Sequence, residues 1–295
     1  MAPVPSLHAS VVVVGSANVD LVATTPRHPL PGETLIGTDF HEYPGGKGLN
    51  QAVASARAGA RTVFICAVGD DDAGRFLHSI ASGESLDLTG IHISPDEPTG
   101  RALIVVDDLG ENSIIVVPGS NAACPPATNI GPSDVVLAQL EVPISAVADS
   151  FITAREAGAM TILNPAPAAE LSAELLSLCD IVIPNEHEIE LLGGVSRLRE
   201  AGVKTVIVTK GAAGIDIYHE GVREELPSFR VNPVDTTGAG DAFCGSLAAS
   251  LTAGHGLNDA CVRALAGGAL ATTTHGAVPS LPFQDEIESL IAASS

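Results

Sequence analysis

The chain has 295 residues, 45% of them hydrophobic, and a formal net charge of −21. That length fits one large domain, and the apolar share excludes a disordered chain. Its three lysines, Lys47, Lys204 and Lys210, cannot form the basic stripe that a nucleic-acid backbone requires, and no apolar run reaches the ~20 residues of a membrane span.

Met1 to Ser10 has no basic region before an apolar stretch, so no targeting signal is expected and the chain reads as cytoplasmic. The first apolar run, 11–14, is followed by others at 62–68, 135–140, 160–163, 181–183 and 205–209. Each is short, continuous and mostly rich in Val, Ile or Leu, the pattern of strands buried on both faces of a parallel sheet. Between them, Leu49, Ala52, Val53 and Ala56 follow helical spacing, with Gly59 as a stop. Alternating strands and helices predict a layered α/β fold.

Two stretches interrupt this rhythm, 18–44 and 98–119. The second holds two β-branched runs around Asp107-Asp108-Leu109-Gly110, a hairpin signature. Together they predict a small discontinuous β lid on a single domain spanning 1–295. The five cysteines are odd in number and lack C-x-x-C spacing, which predicts free thiols in a reducing compartment and no zinc site.

The polar residues of interest stand at the ends of the apolar runs. Asn18 and Asp20 follow the first; two apart on extended chain, they face one way. Glu141 follows the run 135–140. Gly45-Gly46-Lys47-Gly48-Leu49-Asn50 lacks the spacing of a P-loop; its glycines allow close backbone approach, and Lys47 and Asn50 are placed to bind adjacent hydroxyls. Asn185 and Glu188 share one helical face and suit Mg²⁺ through water, or equally a helix cap with an acidic first turn. Thr209-Lys210-Gly211-Ala212-Ala213-Gly214 is a glycine-bearing loop suited to a nucleotide.

The strongest signal is Asp235-Thr236-Thr237-Gly238-Ala239-Gly240-Asp241, ahead of an uncharged helical segment. Loop amides and a helix N-terminus make an anion hole, here with an acid at its mouth. That is the layout of a kinase acting on a small alcohol.

These segments, in this order from about Val11 to Pro282, resemble the ribokinase-like (PfkB) sugar kinases. The resemblance implies a three-layer sandwich, a central mostly parallel sheet flanked by helices, with a β lid that serves as a homodimer clasp. It implies ATP-dependent phosphorylation of D-ribose at O5, with 2-deoxyribose, fructose or a nucleoside as the alternative substrate. Asp241 is then the general base, and the amides of Gly238, Ala239, Gly240 and Asp241 the anion hole. Asn18, Asp20, Gly46, Lys47, Asn50 and Glu141 hold the sugar. Asn185, Thr209, Lys210, Gly211, Gly214 and Gly240 line the ATP site, with Glu188 near Mg²⁺. A K⁺-type monovalent cation falls to Asp235, Thr237, Ala271, Thr274, Gly276 and Ser280. The sequence departs from the family in a shortened helix between Glu188 and Thr205, and in Leu265 where an asparagine stands near the adenine.

Overall fold

The computed structural model describes residues 9–294; most of the segment read above for a targeting signal, 1–8, lies outside them. The strands are β1 (Val11–Val14), β2 (Asn18–Thr25), β3 (Asp39–Gly45), β4 (Thr62–Gly69), β5 (Asp87–Ser94), β6 (Gly100–Asp107), β7 (Asn112–Val117), β8 (Val135–Ala138), β9 (Met160–Leu163), β10 (Ile181–Val182), β11 (Thr205–Thr209), β12 (Ile215–His219) and β13 (Val222–Leu226). The helices are α1 (Lys47–Arg57), α2 (Asp72–Gly83), α3 (Ile144–Ala157), α4 (Ala173–Ser177), α5 (Glu186–Leu191), α6 (Gly194–Glu200), α7 (Ala239–Thr252), α8 (Leu257–Ala271), α9 (Ala277–Ser280) and α10 (Gln284–Ser294).

Nine strands form one sheet in the order β13-β12-β11-β10-β9-β8-β1-β4-β5; the seven from β11 to β5 are parallel, and β12 and β13 are antiparallel additions. The continuous apolarity of β1 has a direct cause, because its two faces serve two cores. Val11 and Val13 pack with Leu49, Leu77 and Leu247 from α1, α2 and α7. Val12 and Val14 pack with Phe151, Leu175 and Leu198 from α3, α4 and α6. Helices thus cover both faces. Leu265 of α8, 6% exposed, belongs to the first of these cores.

A second, four-stranded sheet has the order β3-β2-β6-β7, with β2 and β6 parallel and the outer pairs antiparallel. Asp71 ties it to the main body. Its Oδ1 caps α2 through Gly74 N at 2.8 Å and accepts Thr99 Oγ1 at 2.6 Å, one residue before β6.

Three boundaries differ from the sequence reading, besides the one-residue extension of β4 to Gly69. β8 ends at Ala138, because Gln139 turns its side chain into a buried polar network. β10 is two residues long. α7 starts at Ala239, ahead of Asp241, because Gly238 at φ 79° provides the turn into the helix. Strands β5, β12 and β13 carry polar or exposed side chains at the sheet's rims and had no apolar run to mark them. No helix among the described residues is long and apolar enough to cross a membrane.

Candidate active site

From β1 the chain adds β4 and β5 on one side, then β8 and the rest on the other. The crevice beyond the C-terminal ends of β1 and β8 is therefore the topological switch point, where open α/β sheets bind ligands. The segment after β1, the β3–α1 turn and the segment after β8 converge there. Glu141 Oε2 accepts hydrogen bonds from Ser16 Oγ at 2.5 Å and Lys47 N at 3.0 Å, and Leu49 N donates to Ser16 O at 2.8 Å. Glu141 is thus a clamp between segments as well as a lining residue. The glycines set how close these segments come: a Cβ on Gly48 would lie 2.4 Å from Gly15 C.

Asn18 and Asp20 start β2 and enter the same crevice. A Cβ on Gly45 would lie 2.2 Å from Asp20 Oδ2, so that glycine clears room for the carboxylate. Asn18 Oδ1 accepts from Asn121 Nδ2 at 2.7 Å, and Asn121 Oδ1 accepts from Ala17 N at 2.9 Å. Asn121 was not foreseen; it lies in a short 3₁₀ turn beyond β7, with no local motif to mark it.

Asp241, 8% exposed, is the third residue of α7. Asn50 Nδ2 donates to its Oδ2 at 2.9 Å, and Gln51 Nε2 donates to its Oδ1 at 2.8 Å. Burial raises its pKa; the nearby Lys47 ammonium and the two carboxamides oppose that, and the net shift is upward. Asp20 is pushed up to about 7, by burial first and then by the charges of Glu141 and Asp241. Burial draws Lys47 down, but Asp241, Glu141 and Glu188 more than offset this, leaving a secure cation among acids. Asn50 Oδ1 is buried and has no partner. A buried carbonyl oxygen left open beside a base suits a ligand hydroxyl.

The other half of the crevice is built mainly from backbone. Gly240 is exposed, and a Cβ on it would meet nothing within 4 Å, so the N-terminus of α7 is open to an anion. Ala239 N turns back to Thr236 O at a long 3.3 Å. Asp235 Oδ1 accepts Thr237 N at 2.9 Å, and its Oδ2 accepts Gly276 N at 2.8 Å. Those amides outweigh partial burial and hold its carboxyl below the ordinary value. Asp235 thereby joins the loop before α7 to the α8–α9 loop that carries Thr274 and Gly276; Ala271, the last residue of α8, and Ser280, the last of α9, are buried.

Asn185 and Glu188 form a reciprocal cap on α5: Glu188 N donates to Asn185 Oδ1 and Asn185 N donates to Glu188 Oε2, both at 2.8 Å. Burial raises Glu188's pKa. Thr209 ends β11 and leads into the 3₁₀ turn Gly211–Ala213, closed by Gly214 at φ 95°. Lys210 is not a free cation, because its ammonium is bonded to Asp216, which Arg223 also contacts.

A buried acid among polar side chains, next to an open helix N-terminus, is the arrangement of a phosphotransferase for a small alcohol. Residues 8–284 match the pfkB family of carbohydrate kinases, and the chain belongs to that family. A ribokinase of Haemophilus influenzae is 37% identical over 298 residues, covering 95% of this chain and 97% of that protein. A bifunctional ribokinase/ribose-5-phosphate isomerase A of Fructilactobacillus sanfranciscensis is 40% identical over 301 residues, and this chain spans 56% of its length. The structure of Arabidopsis thaliana ribokinase complexed with ribose and ATP is similar with a TM-score of 0.88 at 30% identity, covering 97% of this chain and 99% of that one.

Proposed function

We propose that this chain transfers the γ-phosphoryl group of ATP to O5 of D-ribose, giving D-ribose 5-phosphate and ADP. The observation that carries the reading is Asp241, enclosed in the first turn of α7 with both oxygens held by carboxamides of α1. It faces the sugar side and the anion side at once. Asn18, Asp20, Lys47, Asn50 and Glu141 are the ribose contacts, with Gly46, at φ 89°, exposing backbone to the sugar.

Asp241 accepts the proton as O5 attacks, a contribution of ~10²–10⁴-fold. The amides at 238–241 stabilise charge on the transferring group, each such donor being worth ~10²–10³-fold. Asn185, the loop from Thr209 to Gly214, and Gly240 line the ATP side.

Mg²⁺ fits Glu188 best through water, since Oε2 is committed to the α5 cap, leaving Oε1, and the described residues hold no cluster of three metal-binding side chains. When bound, it neutralises phosphate charge. The Asp235 clamp brings together two loops rich in carbonyls, with Thr237, Ala271, Thr274, Gly276 and Ser280, as a K⁺ site requires. Strand β7 is exposed along its whole length, including Ile114, Ile115, Val116 and Val117, and Phe40 of β3 is 56% exposed. We assign this lid face to the homodimer contact. Five free, buried cysteines suit a reducing cytoplasm.

The test is ATP-dependent ADP release with D-ribose, 2-deoxyribose, fructose and adenosine, each with K⁺ or Na⁺ as the monovalent cation. Ribose turnover stimulated by K⁺ is expected. Preference for another substrate overturns the assignment of the sugar contacts.

A further inference from the structure

Behind Asp241 lies a chain of buried carboxamides that no sugar or nucleotide contact explains. Gln51 and Gln139 are 0% exposed. Gln51 Nε2 donates to Asp241 Oδ1 at 2.8 Å and to Asn164 Oδ1 at 3.1 Å. Gln51 Oε1 accepts from Gln139 Nε2 at 2.5 Å, and Asn164 Nδ2 donates to Ile183 O at 3.0 Å. The four polar residues come from α1, from the segments after β8 and β9, and from α7, so the chain crosses the sheet's C-terminal end.

The polarity of this chain is forced from one end. A backbone carbonyl only accepts, so Ile183 O requires the amide nitrogen of Asn164. Asn164 Oδ1 must then face Gln51, and Gln51 must offer its nitrogen. Both hydrogens of that nitrogen are used, one on Asn164 and one on Asp241. On the far side Gln139 Nε2 donates to Gln51 Oε1, while Gln139 Oε1 is itself buried without a partner. Turned over, Gln51 would set its oxygen against both Asn164 Oδ1 and Asp241 Oδ1, so Asp241 Oδ1 is met by a donor.

We propose that Gln51 is a positioning residue for the base. It fixes the Asp241 carboxylate through Oδ1, so that Oδ2, beside the open Asn50 Oδ1, is the oxygen that takes the proton from the sugar hydroxyl. The proposal rests on Asp241 being the base. The Gln51 donor also counts among the influences that keep Asp241 ionised against its burial.

The test is Gln51→Met, close in volume but without a donor, read by the pH profile of kcat together with kcat and KM for ribose. The expected kcat loss is about 10²-fold, the scale of a misplaced reacting group, with KM for ribose little changed. The acid limb of the profile should move up by about one pH unit, since removing a donor favours the protonated carboxyl; Lys47 of α1, Asp20 of β2 and Glu141 after β8, the charged groups that face Asp241, are the same in both proteins. In an Asp241→Asn background, Gln51→Met should cause no further loss.

A merely structural role lowers melting temperature and activity together and leaves the acid limb in place; that result overturns the proposal. If Asp241→Asn alone keeps most of the rate, the reading of Asp241 has failed instead, and the two failures are distinguishable. Should Gln51→Met not fold, Asn164→Ala removes one of the two acceptors of Gln51 Nε2 and loosens the side chain that holds Asp241. It should shift the acid limb in the same direction by a smaller amount, and an unmoved limb overturns the proposal.

Discussion

The half of the crevice proposed for the sugar and the half proposed for the nucleotide are assembled differently. On the sugar side, Asn50, Gln51, Asn121 and Gln139 are at most 6% exposed, and their amides already bind protein groups. On the side proposed for the nucleotide, Gly211, Ala212 and Gly240 are exposed, and backbone amides are the groups on offer. A sugar offers a fixed set of hydroxyls that rigid side chains can match. A polyphosphate offers diffuse charge, which a helix N-terminus meets without a dedicated side chain. A chain with a net charge of −21 has all the more need of such local amides and cations.

The comparison breaks first at its centre, where both halves share Asp241. Asp241→Asn should cut kcat by ~10²–10⁴-fold, while calorimetry finds ribose affinity changed only a few-fold. Retention of more than a tenth of the wild-type kcat would contradict the assigned base.

Glycines sharpen it next. In Gly48→Ala the added methyl would lie 2.4 Å from the backbone of Gly15 and Ser16, so urea unfolding should show a loss of about 1–3 kcal/mol. In Gly240→Ala the methyl meets nothing, so stability should hold or rise, while KM for ATP increases because a phosphate can no longer approach the amides. Equal loss of stability in both variants would erase the distinction.

A pH titration of the unliganded protein gives a smaller effect. Asp20 ionises near 3.8 when unfolded and at about 7 in the fold, so the folded state binds the extra proton. Its contribution to stability is full below the unfolded value and is lost as pH rises through about 7. Melting temperature should decline across that window for the wild type and decline less for Asp20→Asn. The smallest effect is expected at Asp235, where Asp235→Asn should weaken K⁺ stimulation and leave ribose affinity unchanged in the same calorimetric titration.

The two halves also differ in how far the sequence exposes them. Strands β1, β9 and β11 were legible because continuous Val, Ile and Leu runs signal burial on two faces. The anion loop was legible because glycines and an acid lie together in the chain. Gln51, Gln139, Asn164 and Asn121 were not assigned roles, because partners up to 190 residues apart leave no local pattern. One hint existed: Asn164 stands directly after an apolar run, and Gln139 is the polar residue near the end of the run 135–140, where a buried strand reaches the crevice. The cap formed by Asn185 and Glu188 shows the opposite ambiguity, since one spacing serves both helix capping and a metal-bound water.

The most direct test of a preassembled sugar half is calorimetric titration of D-ribose into the protein with no nucleotide present. Saturable one-site binding, with an affinity little changed when a non-hydrolysable ATP analogue is added, is the predicted result. Ribose binding that appears only after the analogue is present would contradict it, because completion of the sugar site would then depend on the nucleotide half.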